Sequence, residues 1–441
     1  MDRAHLLESY QAHIKHLTKV YQQSMDAHGL QAVAIHSGSL QKRSVFDDQH
    51  WPLRPVPAFQ HWAPFPWVDQ ALVVPRTGAA TLCVYRDKSY WERFAEPDLA
   101  LLRSALNLVE VDSPQGVTRH LTDAAHTAFI GENLARAAEW GVTAANVNHA
   151  GLQASLDDLR VFKTPYEQLC LREANRMAAK GHARVAAEFE AGERSEFNLH
   201  LLYLKETGHD DGETPYKNIV AIGSSAAILH HISYRRDRLE GPQSLLVDAG
   251  AVFNGYASDI TRTYVAKGGA EHALFGDLIG RMNAMQQTLC ERATPGRGYE
   301  TLHDETHERL AVILKDLDLV RMSPEAMVAD GVTRMFLPHG LGHSLGLQCH
   351  DVGCARIKPR KENAWLRNTR VIEAGQCFTI EPGIYFIDTL MDELRAGPHG
   401  TDVNWKSVDS LKPFGGIRIE DDLVVRGGGQ AAENLTRPFL P

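Results

Sequence analysis

Apolar positions near the start of the chain step by three and four: Leu7, Tyr10, Ile14, Leu17 and Tyr21. That spacing predicts an opening amphipathic helix. Short runs rich in apolar residues then predict strands over 32–36, 71–74, 81–85, 109–111 and 128–131, with helical stretches between them. Together they make a small α/β unit whose strands carry no evident chemistry. Residues 46–67 break the pattern with three tryptophans (51, 62, 67) and five prolines (52, 55, 57, 64, 66). Such a run suits neither a helix nor a central strand and reads as a stiff surface loop.

The periodicity changes around 157–162. Lys163-Thr164-Pro165-Tyr166-Glu167 predicts a helix start, with Thr164 as cap, Pro165 at the first helical position and Glu167 closing a capping box. Cys170, Ala174, Met177, Gly181 and Val185 keep the helical step. A domain boundary is therefore expected near 160, giving an N-terminal α/β domain over 1–159 and a second domain over 160–441. In the second, Phe275, Ile279, Met282 and Leu289 mark one helix, and Leu302, Thr306, Leu310, Ile313 and Leu317 another. Strands with helices packed on one side make this domain α+β. No internal repeat or low-complexity tract is visible.

The second domain also holds the chemistry. Asn254-Gly255 separates two apolar runs, 245–250 and 256–260, and reads as a two-residue hairpin turn because both residues tolerate positive φ. In that register Gly250 faces Asp259, so Asp248 and Asp259 become diagonal neighbours about 7–8 Å apart. Two carboxylates side by side repel, and a divalent cation between them removes the problem. The plainer reading is a solvated hairpin with two harmless acids. Three later runs favour the first. Residues 338–350 hold His339, His343 and His350; residues 377–383 set Glu381 at the end of an apolar strand; and 416–421 alternate, so Arg418 and Glu420 share a face. Gly340, Gly342 and Gly346 argue against reading His339 and His343 as an ordinary helical pair. No HExxH is present, which excludes a zincin.

Composition narrows the class. Of 441 residues, 44% are hydrophobic and 23% charged, as in a globular protein, and the length calls for two cores. A net charge of −9 argues against nucleic-acid or anionic-membrane partners. No apolar run approaches the roughly 18 residues of a membrane span, and the N-terminus lacks a signal-peptide core. Six cysteines without CxxC spacing read as reduced thiols of a cytoplasmic protein.

In chain order the candidate ligands run Asp, Asp, His, Glu, Glu. This order, in these local contexts, resembles the dinuclear metallopeptidases of the pita-bread fold. The closest likeness is to the Xaa-Pro dipeptidases (prolidases), including bacterial ones that also act as organophosphorus acid anhydrolases. The resemblance implies that Asp248 chelates one metal ion, Asp259 and Glu420 bridge two, and His343 and Glu381 complete the other. His339 and His350 then line the pocket without binding metal. It further implies that Glu381 shuttles a proton, and that His350 and His230 steady the tetrahedral intermediate or the substrate carboxylate. Leu229, Tyr216 and Tyr299 would line the substrate pocket, and Arg370 would hold the substrate's carboxylate. Arg418 is placed beside the metals by alternation alone. In a homodimer, Phe46 with Asp47 or Asp48 would reach the partner's site.

Four carboxylates and one imidazole suit Mn2+ or Co2+, with Zn2+ also able to bind. An Xaa-Pro bond is a tertiary amide without an N–H. A hydroxide shared by two cations can attack such a bond without gripping that N–H. The expected activity is thus metal-dependent hydrolysis of Xaa-Pro dipeptides, with organophosphorus esters as a side substrate. The rivals are an aminopeptidase P-like enzyme acting on longer peptides, a methionine aminopeptidase, and a metal-free pita-bread binding module. One residue departs from the family pattern: Cys349 stands where an aliphatic residue is expected before His350.

Overall fold

The computed structural model describes residues 2–87, 90–91, 95–240 and 243–441. The chain divides into two compact units: Met1–Cys170 with Asn254–Tyr256, and Leu171–Phe253 with Ala257–Pro441.

The first unit opens with the helix Arg3–His28, capped by the Asp2 carboxylate and closed by Gly29 at φ 67°. It buries Tyr10, Ile14, Leu17 and Tyr21, as the three–four spacing requires, but the stripe opens with Leu6, four residues before Tyr10, and the expected Leu7 is only half-buried. All five expected strands form. Their order across the sheet is Asn107–Val111, Thr81–Tyr85, Ala71–Pro75, Ala32–His36, Thr127–Ile130. The sheet is mixed: Ala32–His36 runs antiparallel to Ala71–Pro75 and parallel to Thr127–Ile130. The proline-rich segment is only half a surface loop. Phe46 and Trp51 are exposed, but Phe59, Trp62 and Phe65 are buried around the short helix Pro57–Gln60. Its prolines exclude ladder bonding, and the aromatic rings between them still gain from leaving water.

Thr164 and Glu167 form the expected capping box at the head of Pro165–Ala191: the Thr164 N–H donates to Glu167 Oε2 at 2.8 Å, and the Glu167 N–H to Thr164 Oγ1 at 3.4 Å. Glu167 also lies 3.4 Å from His61 Nε2, and His13 bonds Thr164 Oγ1 and the His61 carbonyl through its two ring nitrogens. Burial works against the Glu167 charge, yet His61 and His13 hold the carboxyl far below its usual range. With both His13 nitrogens engaged, this buried cluster is a hydrogen-bonded anchor for the helix start.

The second unit is built on short sheets backed by helices. Ser244–Asp248 is the centre of a three-stranded sheet, between Thr261–Val265 and Ile219–Ile222. Cys377–Ile380 pairs with Asp421–Val424, and Gly383–Tyr385 with Gly416–Arg418. The helices Ala270–Arg292 and Tyr299–Asp316 bury their apolar stripes, including Phe275, Met282, Leu289, Leu302 and Leu310. None of the six cysteines forms a disulfide. Among the described residues no helix is long and apolar enough to cross a membrane.

Candidate metal centre

Two antiparallel pairings carry the acidic residues. In the first, Thr261 pairs with Asp248, and the register continues through the Ala249 N–H to the Ile260 carbonyl and the Ser258 N–H to the Ala251 carbonyl. This is the register expected from Asn254-Gly255, whose φ values are 49° and 88°. Asp248 and Asp259 are therefore diagonal neighbours. A glycine is required at 250, because a Cβ there would lie 2.0 Å from the Ser258 carbonyl oxygen.

The second pairing joins the histidine segment to the strand before Glu381. Thr379 N–H donates to the His343 carbonyl at 2.9 Å, Glu381 N–H to the Leu341 carbonyl at 2.8 Å, and Leu345 N–H to the Cys377 carbonyl at 3.1 Å. His343 and Glu381 thus stand diagonally, as the two aspartates do. The glycines of this segment let it lie close to its partner: a Cβ at Gly342 would sit 2.4 Å from both the Thr379 carbonyl and the Tyr299 hydroxyl. The Glu420 N–H donates to the Thr261 carbonyl at 3.1 Å, which brings the last carboxylate alongside the first pair.

The side chains then meet. His343 Nε2 lies 3.4 Å from Asp259 Oδ2 and 3.6 Å from Glu381 Oε1. The Tyr216 hydroxyl spans the two aspartates, 2.7 Å from Asp248 Oδ1 and 2.5 Å from Asp259 Oδ1. Arg418 pairs with Asp248 Oδ2, and its Nε donates to the Thr261 hydroxyl at 3.2 Å. Thr261 in turn donates to Glu420 Oε2 at 2.6 Å, so Arg418 and Glu420 do share a face. Cys349 Sγ donates to Asp259 Oδ2 at 2.9 Å.

The pocket is short of positive charge. Burial raises the Glu381 carboxyl from 4.5 to about 7, with His343 and Arg418 opposing and Asp259 and Asp248 reinforcing. Burial, then Asp259, Glu381 and Asp248, push Glu420 well above the carboxylate range. Asp248 is also raised by burial, against the pull of Arg418. Asp259 moves the other way: burial opposes its charge, but the bonds to His343, Cys349 and Tyr216 bring it to about 2. His343, despite burial, is raised to about 9 by Asp259 and Glu381. Without added cations, protons must make up the deficit. Two further observations fit a divalent cation. Glu420 Oε1 is buried with no hydrogen-bond partner. One donor atom each of Asp259, His343 and Glu420 also lie within 4.8 Å of one another.

The other expected residues are placed unevenly. His339 is held between the Gly340 carbonyl (2.7 Å) and the Tyr385 hydroxyl (2.9 Å), and burial lowers its pKa to about 3, so it is neutral. His350 is exposed, its ring edge-on to His343 at 4.3 Å. His230 is exposed, whereas its neighbour His231 bonds the buried Glu196 at 2.8 Å and is structural. Leu229 packs half-buried against the large core. Tyr299 does not line an open pocket: it is fully buried and donates to the Thr379 carbonyl at 2.7 Å, bracing the strand before Glu381. Arg370 is buried and donates to the Gly353 carbonyl at 2.7 Å. In the first unit, Asp47 is half-buried and Asp48 exposed; each accepts a bond from Gln49.

Sequence reasoning missed Thr261 and Tyr385. Thr261 lies two residues beyond Asp259, and that period alone puts it on the acidic face. Tyr385 accepts from Arg418 Nη1 at 2.9 Å while bonding His339, a link between distant runs that no local pattern signals.

The profile of metallopeptidase family M24 matches residues 169–427, and that of the Xaa-Pro dipeptidase N-terminal domain matches 8–157. A Xaa-Pro dipeptidase of Aeromonas hydrophila is 41% identical over 98% of this chain and 99% of its own length. One from Proteus mirabilis is 38% identical over 98% of both. Among solved structures, aminopeptidase P of E. coli aligns with a TM-score of 0.72 at 22% identity, over 96% of this chain and 95% of that one. Proline aminopeptidase P II of Yersinia pestis gives 0.70 at 24%, over 96% of both. At that identity these two speak for the fold, an N-terminal domain followed by a pita-bread domain. The chain belongs to metallopeptidase family M24 and, by likeness along its whole length, to the Xaa-Pro dipeptidase branch of that family.

Proposed function

We propose that this protein hydrolyses Xaa-Pro dipeptides with two divalent cations held by Asp248, Asp259, His343, Glu381 and Glu420. The observation that carries the reading is the convergence of five donors from five separate runs around a pocket deficient in positive charge. The oxygen-rich donor set favours Mn2+, with Co2+ or Zn2+ as substitutes. Bound there, the cations supply Lewis-acid polarisation of the scissile carbonyl and a water acidic enough to ionise near neutral pH.

The chain's own residues do the rest. Glu381 carries the proton from water to the leaving proline nitrogen. His350 and His230 steady the oxyanion or the substrate carboxylate, and His339 supports them as a neutral imidazole. Arg418 neutralises Asp248, and Arg370 is the cation for the dipeptide's C-terminal carboxylate. Tyr216 orients the two aspartates. Leu229 contributes apolar wall, and Tyr299 fixes the strand behind Glu381. Organophosphorus esters are a side substrate, because the same activated water can attack phosphorus.

The protein acts as a cytoplasmic homodimer. The exposure of Phe46 (99%) and Trp51 (58%) supports a subunit contact there, with Asp47 or Asp48 directed to the partner's substrate amine. A metal-free binding role is disfavoured, since burying this many carboxylates without cations is costly.

The test combines metal analysis of the purified protein with rates on Ala-Pro and on Xaa-Pro-Yaa tripeptides. Two cations per chain and hydrolysis restricted to the dipeptide are expected. Glu381→Ala and Asp259→Ala should each abolish turnover while preserving the circular dichroism spectrum. Tripeptides cleaved as fast as dipeptides would instead favour an aminopeptidase P-like activity.

A further inference from the structure

A second group of donors lies beside the carboxylates. One ligand atom each of His343, Cys349 and His350 lie within 4.8 Å of one another. Five cysteines (83, 170, 290, 354 and 377) are buried, and Cys349 alone among the six is partly exposed. His350 is exposed as well, so solvent reaches the group from that side. The His343 and His350 rings meet edge-on at 4.3 Å, which leaves their nitrogens free of mutual stacking.

We propose that His343, Cys349 and His350 form a site for a thiophilic divalent cation of the Zn2+ or Cd2+ class, overlapping the oxygen-rich pair and competing with it for His343. Two imidazoles and one sulfur make a soft donor set, with water as the fourth ligand, whereas Mn2+ prefers oxygen. The Cys349 S–H donates a hydrogen bond to Asp259 Oδ2 at 2.9 Å. Only a cation that bonds sulfur strongly will displace that proton. As the Sγ–metal bond forms, the S–H bond breaks and the proton passes to solvent; no electron changes hands. The consequence is an enzyme that excess soft metal disables by drawing His343 away from Asp259 and Glu381. The competition for His343 rests on the dinuclear reading, but the soft-cation site itself does not.

The experiment is a Cd2+ titration of the metal-stripped full-length protein, followed by the ultraviolet thiolate-to-cadmium charge-transfer band. Wild type should develop the band and saturate at one equivalent, with protection of one thiol from a disulfide reagent. Cys349→Val and Cys349→Ser should lose both signals; the serine keeps a donor for Asp259 and guards against misfolding, checked by circular dichroism. No band in wild type, or an equal band in folded Cys349→Ser, overturns the proposal. Mn2+ binding to wild type, read by electron paramagnetic resonance, reports on the carboxylate pocket separately. Its absence would count against the dinuclear reading and leave the cadmium result standing.

Discussion

The Thr261 hydroxyl donates to Glu420 Oε2 at 2.6 Å, while Oε1 of the same carboxylate is buried with no partner. One oxygen is oriented and the other is left for a ligand. Thr261→Val keeps the shape and removes the orienting bond. It should weaken cation binding or turnover roughly 10–100-fold, as loss of such supporting bonds does elsewhere. Isothermal titration with Mn2+ reads the change, and unaltered affinity would remove Thr261 from the metal centre.

Arg418 and Asp248 form a buried ion pair. Arg418→Met leaves Asp248 beside Asp259 with no guanidinium. The metal-free protein should lose about 3–5 kcal/mol, the usual cost of breaking a buried pair from one side. Added Mn2+ should recover part of that loss by taking over neutralisation of Asp248. Chemical denaturation with and without a chelator measures both; equal losses in the two conditions would mean that Asp248 does not bind the cation.

Above pH 7 the stability of the metal-free protein should fall with rising pH. Glu381 has a folded pKa of about 7 against 4.5 unfolded, and His343 about 9 against 6.5. Both bind protons more tightly when folded. Their contribution is complete below the unfolded value and is lost as pH rises through the folded one, from 4.5 to 7 for Glu381 and from 6.5 to 9 for His343. Asp259, lowered to about 2 from 3.8, acts in the opposite sense and only below 3.8. Thermal melts in chelator between pH 7 and 9 should show the decline; below 6.5 the buried imidazoles of His13, His182 and His339, lowered to about 4, 4 and 3, act in the opposite sense. Saturating Mn2+ should abolish the decline, because the cation replaces the protons of Glu381 and His343; a flat chelator series would refute the charge deficit.

Gly250→Ala tests the backbone under the aspartates. A Cβ 2.0 Å from the Ser258 carbonyl forces the strands apart. A loss of roughly 1–3 kcal/mol is expected, the usual range for overpacking. Cation affinity should fall with it, because the shift displaces Asp259 from Asp248. A urea midpoint equal to wild type would show that the hairpin yields at no cost.

Local pattern determined much of this protein by itself. Helical spacing, the Thr164–Glu167 box and the Asn254-Gly255 turn all depend on residues a few positions apart, where backbone geometry leaves few choices. The 248–261 register followed from the turn alone, because a two-residue loop admits one pairing. What only the tertiary structure decided lies between distant runs. Tyr385 linking His339 to Arg418, Tyr299 buried behind Glu381, Cys349 bonded to Asp259 and the burial of Trp62 each depend on which surfaces meet. Periodicity tells which face a side chain takes on its own strand. It carries no information about the partner that packs on that face, and here the partner sets whether a polar atom is exposed, bonded or left waiting for a cation.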